Sequence, residues 1–138
     1  MLEALGNFLA TEDPAAIGTE LGAARHELAQ LFPQLAAGRL DFPPGDPTQA
    51  KMRLFESIVA LISIPARRTG LLLVVEDIHW ADTSSRELLD YISRRVRGLR
   101  VMVMVTYRDD ELHRRHPLVP TLQGWRRSGL VVVIELGD

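Results

Sequence analysis

The chain has no cysteine and only one lysine, Lys51, among its 138 residues. The first absence excludes a disulfide framework, a thiolate zinc site and a cysteine nucleophile. The second means that a lysine-based phosphate site could use Lys51 alone. The other fifteen basic residues are arginine, a bias that, beside abundant alanine, reads as genome composition rather than mechanism. Long apolar stretches are also missing. Purely apolar runs are short, such as Leu71–Val75 and Leu130–Ile134, far short of the ~18 residues a bilayer span requires. Met1-Leu2-Glu3-Ala4 carries no basic leader, so the expectation is a soluble, cytoplasmic protein with no membrane partner. There is no internal repeat, no low-complexity tract, no Gly-x-Ser-x-Gly nucleophile motif and no helix-turn-helix. DNA contact is therefore expected only through a separate domain.

What is present is ordinary globular material, 46% hydrophobic and 25% charged, with net charge −2. A chain of this length can bury roughly 68–70% of its unfolded surface, and on length alone it reads as one small domain. The charge is uneven: residues 1–50 carry a net −5 and residues 51–138 a net +3. Neither half is basic enough to predict nucleic-acid binding.

The first part, about residues 1–68, reads as helical. Leu2, Leu5, Phe8 and Leu9 share one helical face. A second stretch follows the cap pair Asp13-Pro14, carries Ile17, Leu21, Leu28, Leu31 and Phe32, and is expected to break near Gly22 and Pro33. Leu40 to Pro47 holds three prolines and a glycine and reads as a loop. Met52, Phe55, Ile58, Val59 and Ile62 then mark a long amphipathic helix. The second part changes character. Three apolar runs predict parallel strands at about 71–76, 101–106 and 130–136, buried on both faces. Between them, Asp82 or Thr83 caps a helix with Leu88, Leu89, Ile92 and Val96 inside and Gly98 at its stop. Leu118, Leu122 and Trp125 pattern a second connector ended by Ser128-Gly129. The fold class is thus α/β, with right-handed crossovers.

In an open parallel sheet, ligands bind beyond the carboxyl ends of the strands. The first strand ends in Glu76-Asp77-Ile78-His79-Trp80-Ala81-Asp82 and the second in Thr106-Tyr107-Arg108-Asp109-Asp110-Glu111. Adjacent strands would turn both clusters toward one site. Paired carboxylates after an apolar run suit Mg²⁺-nucleotide chemistry, because a hard cation takes oxygen ligands and keeps several waters. A second acid can orient an attacking water, and an arginine can meet phosphate charge bidentately. The plainer alternative is that Glu76 and Asp77 only cap the following loop and helix.

Leu71 through Asp82 resembles the Walker B segment of STAND-type P-loop NTPases, the AAA+-related ATPase modules of large LuxR-type bacterial transcription regulators and of some adenylate-cyclase-linked proteins. Val105 through Leu112 resembles their next strand and its sensor arginine. His116-Pro117-Leu118 and Arg53-Leu54-Phe55-Glu56 fit the same family. The resemblance is strong over about 48–136 and weaker before it, where the family has a variable helical region (here 1–47), and it implies a partial three-layer P-loop NTPase-like fold. It implies that Glu76 holds Mg²⁺ through water, although aspartate is commoner there. It implies that Asp77 acts on the hydrolytic water, and that Arg108, with Thr106 beside it, reads the γ-phosphate. His79, Trp80 and Asp82 match the motif; Trp80 reads as a packing wedge and Asp82 as a helix cap. ATP and Mg²⁺ are implied for the intact parent domain.

A phosphate cradle of the form G-x-x-x-x-G-K-[ST] is not evident. Gly45-Asp46-Pro47-Thr48-Gln49-Ala50-Lys51-Met52 has the spacing, but Ala50 stands for glycine and Met52 for Ser/Thr. No apolar strand precedes it, so Lys51 is expected in the first turns of a helix. The sequence then reads as a single partial domain, 1–138, lacking the Walker A segment, and tight nucleotide binding by this chain alone is not expected. The family's topology puts the P-loop strand between 101–106 and 130–136. Without it the 101–106 strand has a bare edge. Closure by 130–136 is the expectation; the missing P-loop segment, another parent domain or self-association are alternative partners for that edge. Two further functions compete with an ATPase fragment: a non-enzymatic interaction or scaffold module, and a Mg²⁺-dependent hydrolase unrelated to nucleotides. His113 and His116 read as a basic surface loop and His26 as a helix-face residue. Arg67-Arg68, Arg94-Arg95 and Arg126-Arg127 read as solvated helix ends.

Overall fold

The computed structural model describes residues 1–36, 38, 45–129 and 131–137. Three helices open the chain: α1 (Leu2–Ala10), α2 (Pro14–Leu21) and α3 (Ala24–Leu28). Asp13 caps α2, its carboxylate accepting from the Ala15 and Ala16 amides, with Pro14 supplying the first turn. Gly22, at φ 56°, ends it. A short 3₁₀ turn, Pro33–Leu35, follows. The proline-rich loop expected over 40–47 falls mostly on residues 40–44, which lie outside the described residues. Pro47 itself is already the first residue of α4 (Pro47–Arg68), capped by the Asp46 carboxylate on the Thr48 amide.

Helix α4 is the spine of the core. Phe55, Ile58, Leu61, Ile62 and Ile64 are buried along it and pack with Leu5, Leu9, Ile17, Leu28 and Leu35 from the preceding helices. Met52, expected on that inner face, is 38% exposed at its edge. Arg67 and Arg68 form the solvated end of α4, as expected, and are also paired: Arg68 reaches Glu12 and Glu20 at 2.9 Å each, and Arg67 reaches Glu20 at 3.1 Å. Glu20 is held below the usual carboxylate range. Burial pushes it up, but hydrogen bonds and charge from Arg67 and Arg68 outweigh that.

Thr69 and Gly70 lead into β1 (Leu71–Val75), α5 (Thr83–Arg95), β2 (Val101–Val105) and α6 (Val119–Arg127). The strands pair in parallel, Leu71 opposite Val101 through Val75 opposite Val105. Leu71, Leu73, Val75, Val101 and Val103 face the core made with α4 and α5. Val75 and Val105 extend to a second cluster of Ile78, Leu89, Leu118 and Trp125. Trp125 fastens α6 to α5, its indole N–H donating to Asp90 Oδ1 at 3.0 Å.

Three expectations are corrected. The strands are not buried on both faces: Leu72, Val74, Met102 and Met104 are exposed. Among the described residues helices cover only the odd-numbered face, giving two layers where three were expected. The third strand expected at 130–136 does not form over 131–136. Leu130 lies outside the described residues, and 131–137 have no strand structure, so among the described residues the sheet has two strands. Val132, Ile134 and Leu136 are 86%, 77% and 90% exposed. An apolar β-branched run becomes a strand only when it joins a ladder and buries a face, and 131–137 do neither. Closure of the β2 edge by this segment is therefore not seen. No helix among the described residues is long and apolar enough to cross a membrane.

Candidate functional site

The parallel register brings the two polar clusters together. Hydrogen bonding continues one residue beyond the strands: the Thr106 amide donates to Val75 O at 3.0 Å, and the Ile78 amide donates to Thr106 O at 2.9 Å. Thr106 also accepts the Asp77 amide on its hydroxyl, at 3.1 Å. Thr106 is thus bonded to the residues on both sides of Glu76-Asp77, and its side chain and backbone shape the turn after β1.

That turn is tight. Asp77 takes φ 54°, ψ 44°, and among the described residues no other non-glycine residue has positive φ. Aspartate tolerates this left-handed geometry better than most residues. The Ile78–Trp80 3₁₀ turn then sends Ile78 and His79 inward. Glu76 and Asp77 are both exposed. They sit at the rim of a groove of about 750 Å³ floored by Phe55, Ile58 and Leu88.

Trp80 corrects its expectation. It is 78% exposed, because the turn that buries its two predecessors points it outward. It is no packing wedge; its ring lies 5.5 Å from that of His79, tilted by 49°. Asp82 caps α5, accepting the Ser85 amide at 2.7 Å. That backbone hydrogen bond, then the Ser85 side chain, holds its carboxyl below the ordinary range.

Arg108 follows β2, and its guanidinium is not free. Nη2 is 3.2 Å from Asp110 Oδ2, and Nη1 is 3.1 Å from Glu111 Oε1. Its backbone amide donates to His79 Nδ1 at 3.4 Å. Glu111, to which sequence reasoning gave no individual role, is therefore part of the cluster. Its only sequence signal was the three-residue offset from Arg108, within reach in a helical turn.

Among the described residues Lys51 belongs to no phosphate-type loop. It lies in the first turns of α4, its ammonium 2.6 Å from Glu87 Oε2. Among the described residues no group of three or more His, Cys, Asp or Glu could hold a metal ion. His113 and His116 have their rings 5.6 Å apart, and His116 Nδ1 accepts the Leu118 amide at 3.2 Å.

A protein-family model described as an AAA ATPase domain matches residues 2–105, from α1 through β2. The match stops before Thr106 and Arg108. No curated protein and no solved structure matches the chain.

Proposed function

Because the chain belongs to the AAA ATPase domain family, we propose that residues 71–82 and 105–112 are the Walker B and sensor portion of a STAND-type, ATP-dependent regulatory module, with a LuxR-type transcription regulator as parent. The family implies nucleotide and Mg²⁺ use in the intact domain. The observation that carries the reading is the joining of the two strand-end clusters through Thr106, which sets two solvent-facing carboxylates beside the loop of Arg108.

The donor set fits a hydrated Mg²⁺ rather than a caged ion. Two exposed carboxylates, with no third acid or histidine among the described residues converging on them, match a cation that keeps waters and takes its remaining ligands from phosphates. When bound with ATP, that ion neutralises charge on the phosphates. Glu76 would hold its shell through water. Asp77, pinned by Thr106, would accept a hydrogen bond from the attacking water and orient it. Arg108 would meet γ-phosphate charge once its guanidinium leaves Asp110 and Glu111. The phosphate cradle has to come from outside these elements, because Lys51 is on a helix and paired with Glu87.

The test has two arms. The 138-residue chain should bind ATP–Mg²⁺ more weakly than micromolar; micromolar binding would place a cradle within it. A longer chain with upstream coding residues should contain G-x-x-x-x-G-K-[ST] after an apolar strand. In that longer chain, Asp77→Asn should leave binding intact and slow hydrolysis, and unchanged turnover would exclude Asp77 from the water-orienting role. The engagement of both Lys51 and Arg108 by acids of this same chain favours a second reading, a non-enzymatic interaction module on the same fold. Absence of hydrolysis and of nucleotide binding in the longer chain would select it.

A further inference from the structure

The His79 side chain is only 2% exposed. Its Nδ1 accepts the Arg108 amide at 3.4 Å. A ring nitrogen that accepts carries no proton, so the neutral imidazole keeps its hydrogen on Nε2. That Nε2 is buried without an aligned hydrogen-bond partner, which is uncommon for a buried polar atom and calls for a reason. The carboxylate facing it is Glu111, whose Oε2 is 3.3 Å away. The other oxygen of the same carboxylate is 3.1 Å from Arg108 Nη1. The ring therefore reaches Arg108 twice, at the backbone directly and at the guanidinium through Glu111.

We propose that His79 and Glu111 are positioning residues for Arg108. A neutral Nε2–H imidazole on the first strand-end loop fixes the backbone of Arg108 on the second, and the shared Glu111 carboxylate sets the direction of its guanidinium. The clamp is built from the turn that hides His79 and exposes Trp80. It ties the acid-bearing loop to the arginine-bearing loop, so displacement of either is felt by the other. Its consequence for reading phosphate rests on the nucleotide function proposed above; the clamp itself does not.

A histidine present only to fill space would tolerate any side chain of similar volume. A clamp has two separable arms. Asparagine can supply an acceptor where Nδ1 sits, and glutamine can supply a donor where Nε2 sits. The experiment uses the 138-residue chain without nucleotide. It reads the imidazole tautomer by long-range ¹H–¹⁵N correlation, exchange of the Arg108 amide, and the Arg108 guanidinium resonances. The wild-type ring should be protonated on Nε2 and bare on Nδ1. His79→Asn should keep the Arg108 amide protected, whereas His79→Gln should speed its exchange about tenfold. Glu111→Gln should leave that amide protected and loosen the guanidinium. A proton on Nδ1, equal amide exchange in His79→Asn and His79→Gln, or an unmoved guanidinium in Glu111→Gln would each overturn the proposal. Should the His79 variants fail to fold, the wild-type tautomer and Glu111→Gln still decide it. Failure of the nucleotide reading leaves these readouts unchanged, and failure of the clamp leaves the Asp77→Asn result unchanged.

Discussion

Asp77 combines a backbone demand with a chemical one, and three neutral substitutions separate them. Its left-handed conformation, φ 54° and ψ 44°, costs an ordinary side chain roughly 1–2 kcal/mol. The fold imposes it, because the Asp77 amide must reach Thr106 Oγ1 at 3.1 Å and the next residue, Ile78, is 1% exposed in the second cluster. Asp77→Asn, Asp77→Ala and Asp77→Gly all remove the same charge, so electrostatics cancels among them. Asparagine keeps much of aspartate's tolerance of this geometry. Glycine carries no Cβ clash but adds about 0.5–1 kcal/mol of backbone entropy to the unfolded chain. Alanine meets the steric penalty with no compensation. Asp77→Ala should therefore be about 1 kcal/mol less stable than Asp77→Asn, with Asp77→Gly between them or level with asparagine. For a chain of this size that is a melting difference of about 4 °C. Urea titrations with unchanged slope give the comparison directly. An alanine variant as stable as the asparagine variant would show that the turn relaxes, and that Asp77 is not held by its backbone.

Other substitutions test the packing and the charges. Leu73→Ala should destabilise by about 2–5 kcal/mol, whereas Leu72→Ser on the uncovered face should stay within about 0.5 kcal/mol; similar urea midpoints for the two would contradict one-sided burial. Trp125→Phe removes the bond to Asp90 and should cost about 1 kcal/mol, against about 3–5 kcal/mol for Trp125→Ala, both read from thermal melts. Asp82 and Glu20 have depressed folded values, so their contributions are present above the ordinary carboxylate range and fade as pH falls through the lowered values. Asp82→Asn should flatten the acid limb of the stability–pH curve, and an unchanged limb would remove Asp82 from that account.

Much of the helical part was legible because its signals are local. Asp13-Pro14, Gly22 and Pro33 punctuate the chain by φ preference and missing donors, and the breaks fall at those residues. Asp82 could be read as a cap for the same reason. The strand runs at 71 and 101 were legible as strands, but not in their burial. Leu72, Val74, Met102 and Met104 are as apolar as their neighbours, so composition cannot tell a covered face from an open one. The run from 130 carried the same local signal as the other two. Strand formation depends on a neighbour, which no single segment encodes. Within the candidate site, the places of Glu76, Asp77, Thr106 and Arg108 just after the two strands could be read from the sequence. The inward turn of His79, the outward turn of Trp80 and the part of Glu111 depend on a 3₁₀ turn and a cross-loop approach that spacing does not reveal.

The charge imbalance along the chain acquires a structural meaning from its partners. Glu12, Glu20 and Glu27 in the acidic first part are matched by Arg68, Arg67 and Arg53 on α4. Exposed pairs are individually worth little, about 0–1 kcal/mol, so these bonds add modestly to stability. Their effect is positional. Arg68 is shared by two glutamates, which raises it above the ordinary arginine value, and it ends α4, with only Thr69 and Gly70 between it and β1. Fixing that end fixes where β1 starts, and the register with β2 carries the setting forward to Val75 and Val105. Glu76, Asp77 and Thr106 follow directly from those positions. The acidic helical region thus bears on the candidate site in two ways: Met1, Leu2 and Glu3 line the same groove as Glu76 and Asp77, and its ion pairs set the point from which the acid-bearing strand is measured.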